Sequence, residues 1–149
     1  MAITQAMTTS FKVDLLNGVH SFGVSVVRAD TSADTFKIAL FGPDAAIGQD
    51  TTVYTTAEEV TGTGYTAGGQ ELTISTAPTS AGNIAYLSFS NVVWNSATFT
   101  ARGALIYNET QGNKAVAVID FGEIKAPSNA NFTLAFPTTD IANVIVRLG

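Results

Sequence analysis

The sequence predicts a mainly β protein: an antiparallel β-sandwich or barrel with one short N-terminal helix. Three observations carry this expectation. From Thr35 onward apolar and polar residues alternate with a period of two. Glycine, proline and asparagine clusters interrupt that alternation at short intervals, and no alternating βα pattern is present.

The elements follow in order. Residues 1–9 are small and polar, and read as a short arm on a single β-rich domain spanning 1–149. Thr8, Thr9 or Ser10 can cap a helix in which Phe11, Leu15 and Val19 recur every four residues, and Gly18 supplies the left-handed position that ends it. A strand is expected at 24–27, then turns at 29–34. In the next strand Phe36, Ile38 and Leu40 share one face, and Gly42-Pro43 stops it. Residues 44–70 form a long glycine-rich connection with one candidate helical turn at 56–60. Connections of this length are usually functional or locally structured, so this one is the expected contact surface.

Strands then follow quickly. One is expected at 71–76 with Leu72 and Ile74 inward, another at 85–89, and the clearest at 96–107, where Ala97, Phe99, Ala101, Gly103, Leu105 and Tyr107 alternate with polar residues. Ala104 and Ile106 make both faces apolar near its end, as in the run 115–119, so these two are expected at the centre of a sheet. Residues 108–113 fit a hairpin connection, with Gly112 free to take a positive φ. Phe132, Leu134 and Phe136 form a further inward face ended by Pro137, and Val144, Val146 and Leu148 carry the last strand.

Composition bounds the function. The chain has 149 residues, 46% hydrophobic and 13% charged, which fits a folded chain rather than a disordered one. A chain of this length buries roughly 70% of its unfolded surface without needing a staple. With no cysteine, disulfides, thiolate metal sites and cysteine nucleophiles are excluded. Ordinary domains carry about 25% charged residues; here 21 threonines and 10 serines supply the polarity instead. Neutral hydroxyls can be covered by a partner without desolvating a charge, so the composition favours assembly. A net charge of -5 with scattered basic residues speaks against nucleic acid. No apolar run reaches membrane-spanning length, and the opening residues lack the pattern of a signal peptide, so no membrane partner and synthesis in the cytoplasm are expected.

Motifs with chemical associations lack their contexts. Gly62-Thr63-Gly64-Tyr65-Thr66-Ala67 has the letters of a dinucleotide fingerprint, but Gly68-Gly69 stands where its helix should begin. Asp120-Phe121-Gly122 has the letters of the kinase magnesium motif without the catalytic loop or lysine, and reads as a strand end. His20 is the single histidine and follows a helix-ending glycine, so a structural role is expected. Asp30 and Asp34 lack the ligand alternation of a calcium loop. Glu58 and Glu59 are adjacent and diverge, which suits an exposed helical turn better than an acid and base pair. Trp94 reads as a core residue, and the sequons at Asn108 and Asn131 as unmodified asparagines. No catalytic, cofactor-binding or metal-binding residues are assigned, no cofactor is expected, and the chain is not expected to be an enzyme.

Gly62-Thr63-Gly64-Tyr65-Thr66-Ala67-Gly68-Gly69, Ala101-Arg102-Gly103-Ala104-Leu105-Ile106-Tyr107-Asn108 and Asn113-Lys114-Ala115-Val116-Ala117-Val118-Ile119-Asp120-Phe121-Gly122 together resemble small structural proteins of tailed bacteriophages. Within that class, a β-rich domain of this size is similar to capsid decoration or cement proteins. The resemblance implies a virion component on the outside of the head shell, made in the host cytoplasm, with the major capsid protein and copies of itself as partners. The alternative within the same class is a tail, head-to-tail connector or fibre-associated β-domain. A carbohydrate-binding sandwich would need exposed aromatics, for which Tyr54, Tyr65 and Trp94 are the candidates.

Overall fold

A computed structural model describes residues 7–18, 22, 32–136 and 144–149. In chain order the elements are α1 (Thr9–Leu16), β1 (Phe36–Phe41), β2 (Gln70–Glu71), β3 (Ile74–Ala81), β4 (Ile84–Phe89), β5 (Val92–Ala97), β6 (Ala101–Asn108), β7 (Lys114–Lys125), β8 (Ala130–Leu134) and β9 (Val146–Leu148). The protein is mainly β; among the described residues every strand pairing is antiparallel and helix is confined to the eight residues of α1. Residues 1–6 of the expected arm, Val19, His20, the strand at 24–27, Asp30 and Pro137 lie outside the described residues.

The chain forms two compact units. The larger comprises Ala33–Thr73 and Asn91–Ala135; the other comprises Met1–Ser32, Ile74–Ser90 and Phe136–Gly149.

In the larger unit four strands form a sheet in the order β2-β1-β6-β7. The alternation read in β1 and β6 is buried on both faces here: Ile38, Ala39, Leu40, Ala104, Leu105 and Ile106 are all inaccessible to solvent. Ala39, Phe41, Leu105 and Tyr107 form one core cluster, covered by Ala45, Ile47 and Tyr54 from the connection after β1 and by Ala115 and Val118 from β7. The β6–β7 hairpin turns through Gly112 and Asn113, both at positive φ. A separate ribbon pairs β5 with β8, placing Trp94 opposite Phe132.

Two strands depart from expectation here. The run 96–107 is two strands, because β5 pairs with β8 whereas β6 pairs with β1 and β7. Ala97, Phe99 and Ala101 stay buried across the junction, so the inward pattern continues while the hydrogen-bond partner changes. The run 115–119 extends through β7 to Lys125 and lies at the sheet edge, not its centre; β6 is central. Its apolar outer side therefore faces no further strand among the described residues.

In the smaller unit β3, β4 and β9 form a three-stranded sheet in that order. Ala85 and Phe89 of β4 are buried, and Phe89 meets Phe136 edge to face at 5.6 Å. The expected strand at 71–76 is divided: Leu72 is buried after β2, whereas Ile74 opens β3 and is exposed. Helix α1 docks through Lys12, a buried residue whose Nζ donates to the Asn83 carbonyl at 2.6 Å in the β3–β4 turn. The amide of Gly18, at φ +72, donates to Leu15, closing the helix.

Candidate functional site

The long connection between β1 and β2 carries its own structure, built by backbone pairing at two points. The Gly42 amide donates to Glu58 and the Val60 amide to Leu40, which fastens 58–60 to the end of β1. The Tyr54 amide donates to Asn113 and the Ala115 amide to Thr52, which fastens 52–54 to the start of β7. Residues 56–59 form a tight turn, closed by the Glu59 amide donating to Thr56, with Glu58 at φ 61. This replaces the expected helical turn, because Glu59 pairs with Phe41 and Val60 bonds to Leu40, so the chain leaves the turn alongside β1.

That turn aims the Glu59 carboxylate inward. One oxygen accepts from the Tyr54 hydroxyl, and the other accepts from the Tyr65 hydroxyl and the Gly68 amide, each at 2.7 Å. The Tyr65 oxygen also accepts from the Leu40 amide at 2.9 Å. The Tyr107 hydroxyl donates to the Gly68 carbonyl at 2.7 Å, and its ring stacks on Tyr54 with centroids 4.6 Å apart. Four separate stretches of chain thus meet around one carboxylate.

The electrostatics follow from the geometry. Burial, reinforced by the adjacent Glu59 carboxylate, pushes the Tyr54 and Tyr65 hydroxyls far above their ordinary range. Burial also raises Tyr107, to about 12, with Glu109 and Glu59 adding to the shift. The three phenols therefore stay neutral at ordinary pH. The arrangement is a clasp that fixes the loop's outer surface.

The glycines of 62–69 serve the same closure. A Cβ on Gly62 would sit 2.3 Å from the Thr98 carbonyl oxygen, and one on Gly64 would sit 2.8 Å from that of Asn95. Their bareness admits the chain's own backbone rather than a pyrophosphate. Asp120-Phe121-Gly122 lies within β7 rather than at a strand end. The register jumps there from Gly103↔Asp120 to Ala101↔Lys125, forming a bulge. The Asp120 carboxylate accepts from the Gly122 amide at 2.8 Å and pairs with Arg102, and these partners lower its pKa. Phe121 packs near Phe132, with ring centroids 5.9 Å apart.

Asp34 binds the side-chain amides of Asn108 at 2.7 Å and Gln111 at 3.4 Å, tying the β6–β7 hairpin to the residues before β1. Asn131 accepts from the Ser96 amide at 3.0 Å. No group of three or more histidine, aspartate or glutamate side chains suited to a metal occurs among the described residues. The three aromatics considered for a sugar platform do not form one. Tyr65 and Trp94 lie 6.4 Å apart, but Trp94 is buried, and Tyr54 and Tyr65 are engaged in the clasp. The Trp94 indole N–H is buried with no hydrogen-bond partner among the described residues.

Glu59, expected with Glu58 on an exposed helical turn, is instead the organising residue: Glu58 is exposed, but Glu59 is held by Tyr54, Tyr65 and Gly68. Its signal is an acidic pair, Glu58-Glu59, flanked by Tyr54 and Tyr65 in a stretch without any basic residue between Lys37 and Arg102. No protein-family model, curated protein or solved structure matches the chain.

Proposed function

We propose that this chain is a non-enzymatic structural subunit of a tailed-phage particle, a decoration or cement protein bound to the outside of the head shell. Its antiparallel sheets then serve as the sandwich or barrel frame expected of such a subunit. The observation that carries this reading is the surface presented by the clasped loop. Its exposed charges are Asp44, Asp50 and Glu58, and the other exposed positions at 43–67 are Thr, Gly, Ala, Gln, Pro and Val. Covering such a surface desolvates few charges, and the hydroxyls and backbone groups can bond to a partner. The clasp also orders the loop in advance, which lowers the entropy lost on binding.

Quantitative mass spectrometry of purified particles tests the reading. The expected result is a copy number comparable with that of the shell protein. Absence from particles overturns the proposal, and recovery at a few copies per particle moves the chain to the tail or connector.

A further inference from the structure

We propose that the outer edge of β7 from Val116 to Asp120 is a self-association surface, on which the same strand of a second copy pairs antiparallel. This deepens the particle reading by naming where copies join, and it rests on that reading only for its biological setting.

The edge is open and bounded. On its inner side β7 pairs with β6. On its outer side Thr52 and Tyr54 bond only as far as Ala115, and no strand follows them among the described residues. At the other end the bulge after Asp120 turns the strand away. The five residues between these stops match the length of an ordinary strand.

The stretch has one irregularity, Val116, an extra residue between the pairs Tyr107↔Ala115 and Ile106↔Ala117; beyond it nothing discourages pairing. Edge strands are commonly protected by proline, by lysine or by being very short. Among the other edges of the three- and four-stranded sheets, β2 has two residues, β9 has three, and β3 carries Pro78. Val116-Ala117-Val118-Ile119 has neither proline nor charge, and Val116 is 42% exposed.

A second copy satisfies the ends as well as the middle. Lys114 precedes the open stretch, and Asp120, exposed while also pairing with Arg102 of β6, closes it. Antiparallel self-pairing brings each copy's Lys114 toward the other's Asp120, and the two-fold axis repeats the contact; parallel pairing would set lysine beside lysine. The register that clears Thr52 and Tyr54 places Val118 on the axis, Ala117 opposite the other copy's Ile119, and Val116 opposite its Asp120. Beyond Asp120 the bulge carries the second strand off before it reaches Thr52.

The test uses the purified full-length chain, so its outcome is independent of whether particles contain it. Sedimentation over a concentration series is expected to show a monomer–dimer equilibrium, weakened about tenfold or more by Val116→Lys, which sets a charge on the pairing edge. Because the chain has no cysteine, Ala117→Cys introduces a single thiol. The proposed register holds the two thiols roughly 8 Å apart, so a short bis-maleimide should capture the dimer, whereas Thr66→Cys on the loop should not cross-link. A chain monomeric at every concentration overturns the proposal, including the case in which a shell-protein strand takes this edge. A dimer that Ala117→Cys does not capture and Val116→Lys does not weaken overturns it equally.

Discussion

At the residue scale, the behaviour of the loop turns on Glu59. A carboxylate offers only acceptors, and two hydroxyls and an amide bond to it. Glu59→Gln keeps the shape but removes the charge and turns one acceptor into a donor facing a phenol. The expected cost is about 1–3 kcal/mol, because hydrogen bonds to charged groups are the stronger class. Urea denaturation of the two proteins measures it. The tyrosines set a second expectation. Their folded-state pKa values lie above the unfolded value near 10, so folding favours the protonated phenols. Stability from this source is fully present below about pH 10 and is lost as the pH rises toward 12 and beyond. Absorbance at the phenolate band should therefore rise together with loss of near-ultraviolet dichroism. Separate ionisation of Tyr54, Tyr65 and Tyr107 in a still-folded chain would contradict the clasp. The sequence marks these tyrosines as notable but not what joins them, since Glu59 acquires its partners only when 58–60 pairs with β1.

At the element scale, close backbone approach sets which positions tolerate a side chain. Gly69 has φ +77, and a Cβ there would lie 1.7 Å from the Ile38 carbonyl oxygen. Gly69→Ala should cost about 3 kcal/mol or more, combining left-handed strain with a clash against β1. Gly112, at φ +68 in the open hairpin turn, has nothing within 4 Å of a Cβ. Gly112→Ala should cost only about 1–2 kcal/mol. Paired thermal melts compare them, and equal costs would remove the argument from close approach. Strand existence was readable from alternation in β1, β4, β6 and β8, where one face or both must be apolar. Partner exchange was not readable. Phe99 keeps its inward place between β5 and β6, and the residues on either side give no sign that the ladder has changed. The edge position of β7 was hidden for a related reason, since apolar residues on both faces also describe a central strand.

At the scale of the whole molecule, the chain crosses between its two units at 32/33, 73/74, 90/91 and 135/136. At 73/74 and 90/91 no linker marks the crossing, because one strand ends and the next begins within two residues of it. Low charge is the property the sequence displays most openly, and the structure locates its effect on the clasped loop and the β7 edge. Contacts made through such surfaces should be only weakly sensitive to salt, because screening acts on charges and few are present. On the proposed role, binding to isolated phage shells should persist at about 1 M salt, where the screening length is only about 3 Å, as measured by co-sedimentation. Release under those conditions would show that charge holds the contact.

The stretch between Lys37 and Arg102 without a basic residue has a practical consequence for proteolysis. Trypsin has no cleavage site across it, so most of β1, the clasped loop and all of β2 to β5 leave a digest as one long fragment. A glutamate-specific protease sees the same region differently: Glu58 stands exposed on a turn, while its neighbour Glu59 is held by Tyr54, Tyr65 and Gly68. The rate at which the Glu59 bond becomes cleavable is then a direct clock for opening of the clasp.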